Sequence, residues 1–363
     1  MKKTVQLLII VIAAGVLFVS CEKKKSANIV PDKFSVGISN AISSPDLAKK
    51  ALFLEPEQDL LTGETLYRQL RNLVYIGEMS AEMIDATIRT IRRFNIDKPM
   101  SLFFESELDN RVKDVEVKEN VQLKDATWDY AMYVKDDDNM ALQVFWNIEP
   151  VKGLAIMNIG VLNQTAVINR NAYVMIEYSE DDAFYDRYMM VHITNMDSLT
   201  INFMNKMKLF AGQKGDVVYI RGNSNHPSAV IIDAANTEGK SWAFVAKNNV
   251  IRDVATAKVA LPPPMEEVST NLWENYSMEK VLEEEVRVVF GQLQPTELEA
   301  LVTLVTRNAK TPAFFNSNGF VAAGADKRPA DIGFSDELVN LDDLMPFPPI
   351  EVKNLQIVFF QEN

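Results

Sequence analysis

The chain has 363 residues, 47% hydrophobic and 24% charged, an ordinary globular composition with length for one large domain or two of usual size. A net charge of −13 argues against a nucleic-acid partner, because phosphates call for a basic face. The single cysteine, Cys21, excludes intrachain disulfides and thiolate-rich metal sites, so an apolar core must carry stability.

In chain order, Lys2 and Lys3 come first, then an apolar run over 5–19 broken only by Gln6 and Gly15, then Ser20 before Cys21. Charged head, apolar middle and small-residue exit are the parts of a secretory signal. The run is 15 residues, shorter than the roughly 20 of a bilayer-spanning helix, and Glu22-Lys23-Lys24-Lys25-Ser26 ends it abruptly. Leu17-Phe18-Val19-Ser20-Cys21 resembles the lipobox of bacterial lipoproteins, with Phe18 where leucine is usual. The resemblance implies that 1–20 is a cleaved signal peptide and that Cys21 becomes an acylated N-terminus. Several acyl chains, at about 0.8 kcal/mol per buried methylene, anchor a protein far better than one. Glu22 is not the aspartate linked to inner-membrane retention, and no acidic cluster for surface export follows. By resemblance, the address is the cell envelope, on the periplasmic face of an outer membrane in preference to the cell surface. The membrane, reached through the lipid anchor, is then the first partner. Removal of the signal takes Lys2 and Lys3 with it and brings the net charge to about −15.

Residues 21–45 are polar, with Ser, Asn and Pro, and read as a lipidated tether. Helical periodicity runs over 62–94: Leu66, Leu70, Leu73 and Val74 make one stripe, and after Gly77 a second runs Met83, Ile84, Ile88, Ile91. With Thr62 and Ser80 as N-caps, this predicts two helices joined by a short turn. From 126 the spacing changes to alternation. Trp128, Tyr130, Met132 and Val134 lead into Asp136-Asp137-Asp138-Asn139, and Leu142, Val144, Trp146 and Ile148 follow, as in a β-hairpin. Further strands are predicted over 154–162, 165–168, 173–178, 185–194, 200–203, 217–221, 229–233 and 242–246, with turns at Ser179-Glu180-Asp181-Asp182 and Gly222-Asn223-Ser224-Asn225.

Leu261-Pro262-Pro263-Pro264 breaks the pattern and divides 46–260 from 265–363. Ser277 starts a helix bearing Leu282, Val286, Val289 and Phe290, and Pro295 starts another bearing Leu298, Leu301, Val302 and Val305. Residues 309–334 read as a loop carrying Phe314, Phe315 and Phe320, and 350–360 as a last strand. The fold class is therefore α+β: a largely antiparallel curved sheet or incomplete β-barrel, built as a meander, with N-terminal and C-terminal helices packed on it.

Catalytic chemistry finds little foothold. His192 sits in an apolar strand and His226 precedes Pro227 in a polar turn, with no ligand spacing between them. The G-x-S-x-G serine motif is absent. Asp136-Asp137-Asp138-Asn139 lacks the glycine and closing glutamate of a calcium loop, and Glu180-Asp181-Asp182 reads as a solvated turn. No glycine-rich phosphate cradle exists, so no cofactor is expected. Asp197-Ser198-Leu199 resembles the acidic-Ser/Thr-apolar O-glycosylation motif of some Gram-negative groups, which implies modification at Ser198.

With 16 Met and 19 Phe, the chain has soft side chains for an adaptable core or a lined cavity. The element order is similar to that of bacterial lipoprotein carriers with half-barrel folds, which implies an apolar or amphiphilic ligand, and Phe314, Phe315 and Phe320 are its candidate contacts. The leading expectation is a non-catalytic binding or assembly module, engaging such a ligand or an envelope protein. The alternatives are a hydrolase of envelope or dietary polysaccharide or peptide, with two carboxylates facing across a cleft, and a carbohydrate-binding lipoprotein displaying Trp128, Trp146, Trp242 or Trp273.

Overall fold

The computed structural model describes residues 29–30, 32–44, 62–106, 109–164, 169–195, 206–225, 240–264, 266 and 271–361. Alternating side chains and tight turns build a run of antiparallel strands: β1 (Met100–Glu105), β2 (Val112–Leu123), β3 (Ala126–Asp136), β4 (Asn139–Asn147), β5 (Lys152–Asn158), β6 (Tyr173–Ser179), β7 (Arg187–Thr194), β8 (Lys206–Lys214), β9 (Val217–Ser224), β10 (Trp242–Asn249), β11 (Val254–Ala260), β12 (Ala313–Asn316) and β13 (Gly319–Ala323). They form one 13-stranded sheet in which each strand pairs with its sequence neighbour, and among the described residues β1 and β13 are its edges. The predicted meander is thus an open antiparallel sheet rather than a closed barrel. The proline-rich break at 261–264 does not end it, because β12 and β13 extend the same sheet. The predicted strands at 165–168, 200–203 and 229–233 lie outside the described residues.

Before the sheet comes one 30-residue helix, α1 (Gly63–Arg92), not the two predicted. Thr62 caps it, its side chain accepting from the Thr65 N–H at 3.3 Å. Glu64 in the first turn and Arg89 and Arg92 in the last suit the helix dipole. Gly77 does not break it. A Cβ there would come within 2.8 Å of Leu209 Cδ2 and 3.1 Å of Met207 Cε, so the glycine permits close approach to β8. Ser80, read as a second cap, instead donates to the Ile76 carbonyl of the same helix at 2.7 Å.

Later helices follow their sequence signals more closely. α2 (Ile159–Leu162) and α3 (Leu272–Asn275) are single turns. α4 (Met278–Val289) starts at Ser277, whose hydroxyl accepts from the Lys280 N–H at 3.3 Å, and α5 (Pro295–Val305) opens with its proline in the first turn. Arg287 ties the two together, reaching Glu283 on its own helix and Glu299 on α5. α6 (Asp336–Val339) and α7 (Pro349–Lys353) are short.

Three further expectations change. Residues 309–334 are not all loop, since they contain the β12–β13 hairpin. Gly319 at its turn has φ +106, and a Cβ there would meet the Arg71 guanidinium at 2.6 Å. Gly222, Asn223 and Ser224 lie inside β9 instead of forming a turn, because the ring of Phe244 covers Gly222 where a side chain would stand. The final strand predicted over 350–360 is α7 followed by irregular chain.

The sheet buries residues on both faces. Along β9, Val218 and Ile220 join the large apolar cluster that also holds Leu66, Leu70 and Ile84 of α1, which defines the inner face. Tyr219 between them joins Val245, Leu341 and Leu344 on the outer face. That cluster continues along the outer side as Phe314 with Phe334 and Leu338, then Phe210 with Phe347 and Val352.

Candidate functional site

The inner face holds a segment that composition predicted as tether. Phe34, Val36, Ile38, Ala41 and Ile42 are all buried in the large cluster, and 33–39 has no regular secondary structure. The signal was present in the sequence as apolar residues at 34, 36 and 38, the two-residue period of an extended chain with one buried side. Phe34 lies 5.8 Å from the Tyr178 ring centroid and covers Gly153, where a Cβ would overlap the ring.

Side chains rather than a neighbouring strand satisfy the backbone of this segment. Asp85 Oδ1 accepts from the Phe34 N–H at 2.6 Å, and Glu78 Oε1 accepts from the Ile38 N–H at 3.0 Å. Ser43 donates its hydroxyl proton to the other Glu78 oxygen. From the turn after β10, Asp253 accepts from the Ala41 N–H at 2.9 Å. Arg71 donates to the carbonyls of Ala41 and Asn40 at 2.8 and 2.7 Å. At the other end the Trp146 indole donates to the Ile29 carbonyl at 2.8 Å, and the Ile29 N–H reaches the Ile96 carbonyl at 3.1 Å. The extended backbone of this segment is therefore met by carboxylates at its N–H groups and by a guanidinium and an indole at its carbonyls, with its alternate side chains in the apolar cluster.

Burial pushes Glu78 up to about 6, against the hydrogen bonds from Ser43 and Ile38, and Glu82 nearby adds to the rise. Burial likewise raises Asp85, partly offset by bonds from Ser35 and Phe34 and by the charges of Arg89 and Lys33. Seven residues apart, the two acids share one face of α1.

The outer face carries a second covering. Residues 334–361 cross the strands from β12 back toward β3. Lys247 pairs with Asp343, Lys258 with Asp342 and Lys208 with Glu351, at 2.6 to 2.9 Å. Asn223 donates to the Phe347 carbonyl at 2.9 Å. Gln143 and Phe360 exchange two bonds, side-chain amide to backbone, at 2.8 and 2.9 Å. His192 points to this face, opposite Lys208 in the register, since its neighbours Val191 and Ile193 belong to the inner cluster. It is 6% exposed, and neither ring nitrogen has a hydrogen-bond partner among the described residues. Burial first, and then the Lys208 charge, lower its pKa to about 4.

Asp136, singled out in the sequence as part of an acidic turn, belongs to a buried ion network. Lys113, with no exposed surface, donates to Asp136 at 2.7 Å and to Asp109 at 2.8 Å. Arg111 bonds both Asp136 oxygens and also Asp137, and the Gln164 amide adds another bond to Asp136. Burial would raise the Asp136 carboxyl, but the bonds from Arg111 and Lys113 outweigh it and hold the group below its ordinary value. The carboxylates here are neutralised by cations of the chain itself. Asp182 accepts from the Phe184 and Tyr185 N–H groups, a solvated turn as read. Among the described residues, no group of three or more His, Cys, Asp or Glu is placed to hold a metal.

The three phenylalanines do not share one surface. Phe314 is buried on the outer face against Phe334, whereas Phe315 is buried on the inner face. Phe320 is half-buried and stacks on Tyr67 at 5.9 Å, beside Phe315. Trp146 and Trp242 are buried, and Trp128 and Trp273 half-buried, so none of the four is an exposed platform. An open hollow of about 520 Å³ lies between α5 and β13, lined by Glu279, Thr303, Leu304, Arg307, Asn308 and Lys310. Cys21, Ser198 and His226 lie outside the described residues. No protein-family model matches the chain, and neither a curated protein nor a solved structure is detectably similar to it.

Proposed function

We propose that the protein is an envelope lipoprotein, acylated at Cys21 and held on the periplasmic face of an outer membrane, whose body is a non-catalytic binding or assembly module for an apolar or amphiphilic chain. In this reading the helices pack on a curved sheet, and the groove between α1 and the sheet is the binding site. The observation that carries it is the seating of 32–44, an extended chain held through its backbone by Asp85, Glu78, Arg71 and Asp253 with its apolar side chains inward. A groove that holds its own segment this way suits a ligand of the same form, such as an acyl chain or an extended peptide of an envelope partner. Phe320, half-buried on Tyr67, is the predicted phenylalanine best placed to touch such a ligand. The acids with raised pKa lie on one face of α1 and bind the docked segment, which favours binding over hydrolysis.

The test is binding of a fluorescent long-chain fatty acid to the purified, acylated protein and to a Phe34→Ala variant. Weak binding by the parent and about tenfold tighter binding by the variant are expected, because the internal competitor is weakened. Failure of both proteins to bind would overturn the apolar-ligand reading. Incorporation of radiolabelled fatty acid, lost in Cys21→Ser, tests the anchor separately.

A further inference from the structure

We propose that residues 347–360 are an acid-released clasp, closed over the outer face while His192 is neutral and lifted when its imidazole takes a proton. The inference stands apart from the anchor and from any ligand. It begins with one row across the sheet. Gln143, Ile156, Met175, His192, Lys208 and Asn223 are register partners, one from each strand of β4 to β9. Adjacent strands lie about 4.8 Å apart, so the row is about 24 Å long. The C-terminal chain follows it from end to end. Asn223 donates to the Phe347 carbonyl, Lys208 pairs with Glu351, and Gln143 exchanges two bonds with Phe360. His192 is one strand beyond Lys208 on the way to Gln143, so the chain between Glu351 and Phe360 passes over it. The neighbouring row gives the same path. Lys206 donates to the Lys353 carbonyl at 2.7 Å, the Tyr173 ring lies 5.6 Å from that of Phe359, and Thr194 stands between them in register.

Under this stretch lie the polar groups least provided for. His192 and Thr194 are buried, and among the described residues neither ring nitrogen nor the Thr194 hydroxyl has a hydrogen-bond partner. Residues 354–360 carry no charge, so nothing directly above can pair with an imidazolium. The charged neighbours are engaged or of the wrong sign. On β8, Lys206 and Lys208 are cations, and α7 adds Lys353 together with Glu351, which is committed to Lys208 at 2.8 Å. On β6, Tyr173 lies against Phe359, and Glu177 feels Lys208 and Lys124. Burial also raises the Glu177 carboxyl, so acid removes its charge rather than offering it to His192. An imidazolium here is a buried, unpaired charge beside an ammonium, a costly state that water relieves once the clasp lifts. Burial and the Lys208 charge accordingly hold the ring neutral down to about 4. Lifting uncovers Ile156, Met175 and Phe210, an apolar band that neutral pH keeps covered.

A glutamate-specific protease reads the opening as release of residues 352–363 by cleavage after Glu351, with a free peptide of the same local sequence correcting for the enzyme's own pH dependence. Between pH 7.5 and 4.5 the corrected rate should rise about tenfold in the parent and less than about twofold in His192→Phe, whose ring cannot take a proton. A second measurement leaves His192 in place. In a His226→Gln protein the one remaining imidazole reports His192 alone by nuclear magnetic resonance. Adding Gln143→Ala cuts the far end of the clasp, three strands away, and a tenfold weaker clasp should raise the His192 midpoint by about one pH unit. Equal acceleration in the parent and His192→Phe would overturn the proposal, because another group would then open the clasp. An unmoved His192 midpoint in Gln143→Ala would also overturn it, as would a ring that titrates with no rise in cleavage. So would loss of the parent's near-ultraviolet circular dichroism at pH 4.5, since the whole body would then open with the clasp.

Discussion

On the inner face, 32–44 lie among apolar side chains with their backbone bound by buried or half-buried groups of α1 and the turn after β10. On the outer face, 334–361 are held by lysine–carboxylate pairs whose acidic partners are 48% to 82% exposed. These two segments thus close opposite faces of the same sheet, and they differ in the polar interactions that hold them. Both seals bury apolar side chains, but the inner one adds carboxylates kept out of water and the outer one adds ion pairs in contact with water. Exposed pairs are worth 0 to about 1 kcal/mol and are screened by salt, whereas buried apolar contacts respond little to salt.

The largest effect should come from the inner face. Phe34→Ala removes a ring with no exposed surface and leaves space beside Gly153 and Tyr178, which should cost about 3–5 kcal/mol in urea unfolding. If the loss were below about 1 kcal/mol, the segment would contribute nothing to the core. Asp85→Ala should cost about 1–3 kcal/mol, because the Phe34 N–H is then buried without an acceptor. Hydrogen exchange at 33–36 should rise before global unfolding does.

Acid should separate the two faces. The Glu78 value in the folded protein, about 6, lies above its ordinary 4.5, so its contribution is fully present below 4.5 and lost as pH rises through 6. Between pH 7.5 and 4.5 the inner segment should gain up to about 2 kcal/mol. Glu82, also raised by burial, faces the same side and acts in the same sense. His192 behaves oppositely. Its folded value of about 4 lies below 6.5, so stability on the outer face is lost as pH falls from 6.5 toward 4. Exchange protection at 33–43 should rise at pH 5 while that of β7 falls, and His192→Phe should abolish only the second change. Parallel movement of both regions would contradict the assignment. The smallest effects belong to the outer pairs. Lys258→Ala should cost less than about 1 kcal/mol, and 1 M salt should speed proteolysis within 334–361 while sparing 32–44.

Where local pattern and tertiary demand agree, the sequence was readable. The β3–β4 hairpin follows from alternation around an acidic turn, and α4 and α5 follow from Ser277 and Pro295. The misreadings have particular causes. Gly77 and Gly222 look like punctuation, yet each serves a close approach, by Leu209 and by Phe244, that only the folded chain reveals. β2 hides its buried residues, Val115 and Val117, within a charged run, and includes Lys113, whose burial depends on Asp109 and Asp136. The burial of 32–44 was the hardest to see. Polar composition around 22–45 outweighed the alternation of Phe34, Val36 and Ile38, and the hydrogen-bond partners of 34–43 on other elements lie 30 to 212 positions away. Phe314 and Phe315 stand out in the sequence as candidate ligand contacts, but they are adjacent in β12 and face opposite sides of the sheet, so they do not line one pocket.

The exchange of bonds between Gln143 and Phe360 bears on the order of assembly. Every strand pairs with the one made just before it, so hairpins can accumulate as the polypeptide is synthesised, with little entropy spent on closing large loops. Gln143 and Phe360 stand 217 positions apart. The latch on the outer side of β4 therefore waits for residue 360 to arrive, and a chain stopped before 334 would leave Phe210, Tyr219 and Phe314 uncovered. Docking of 334–361 is the step that turns an adhesive sheet face into a covered one.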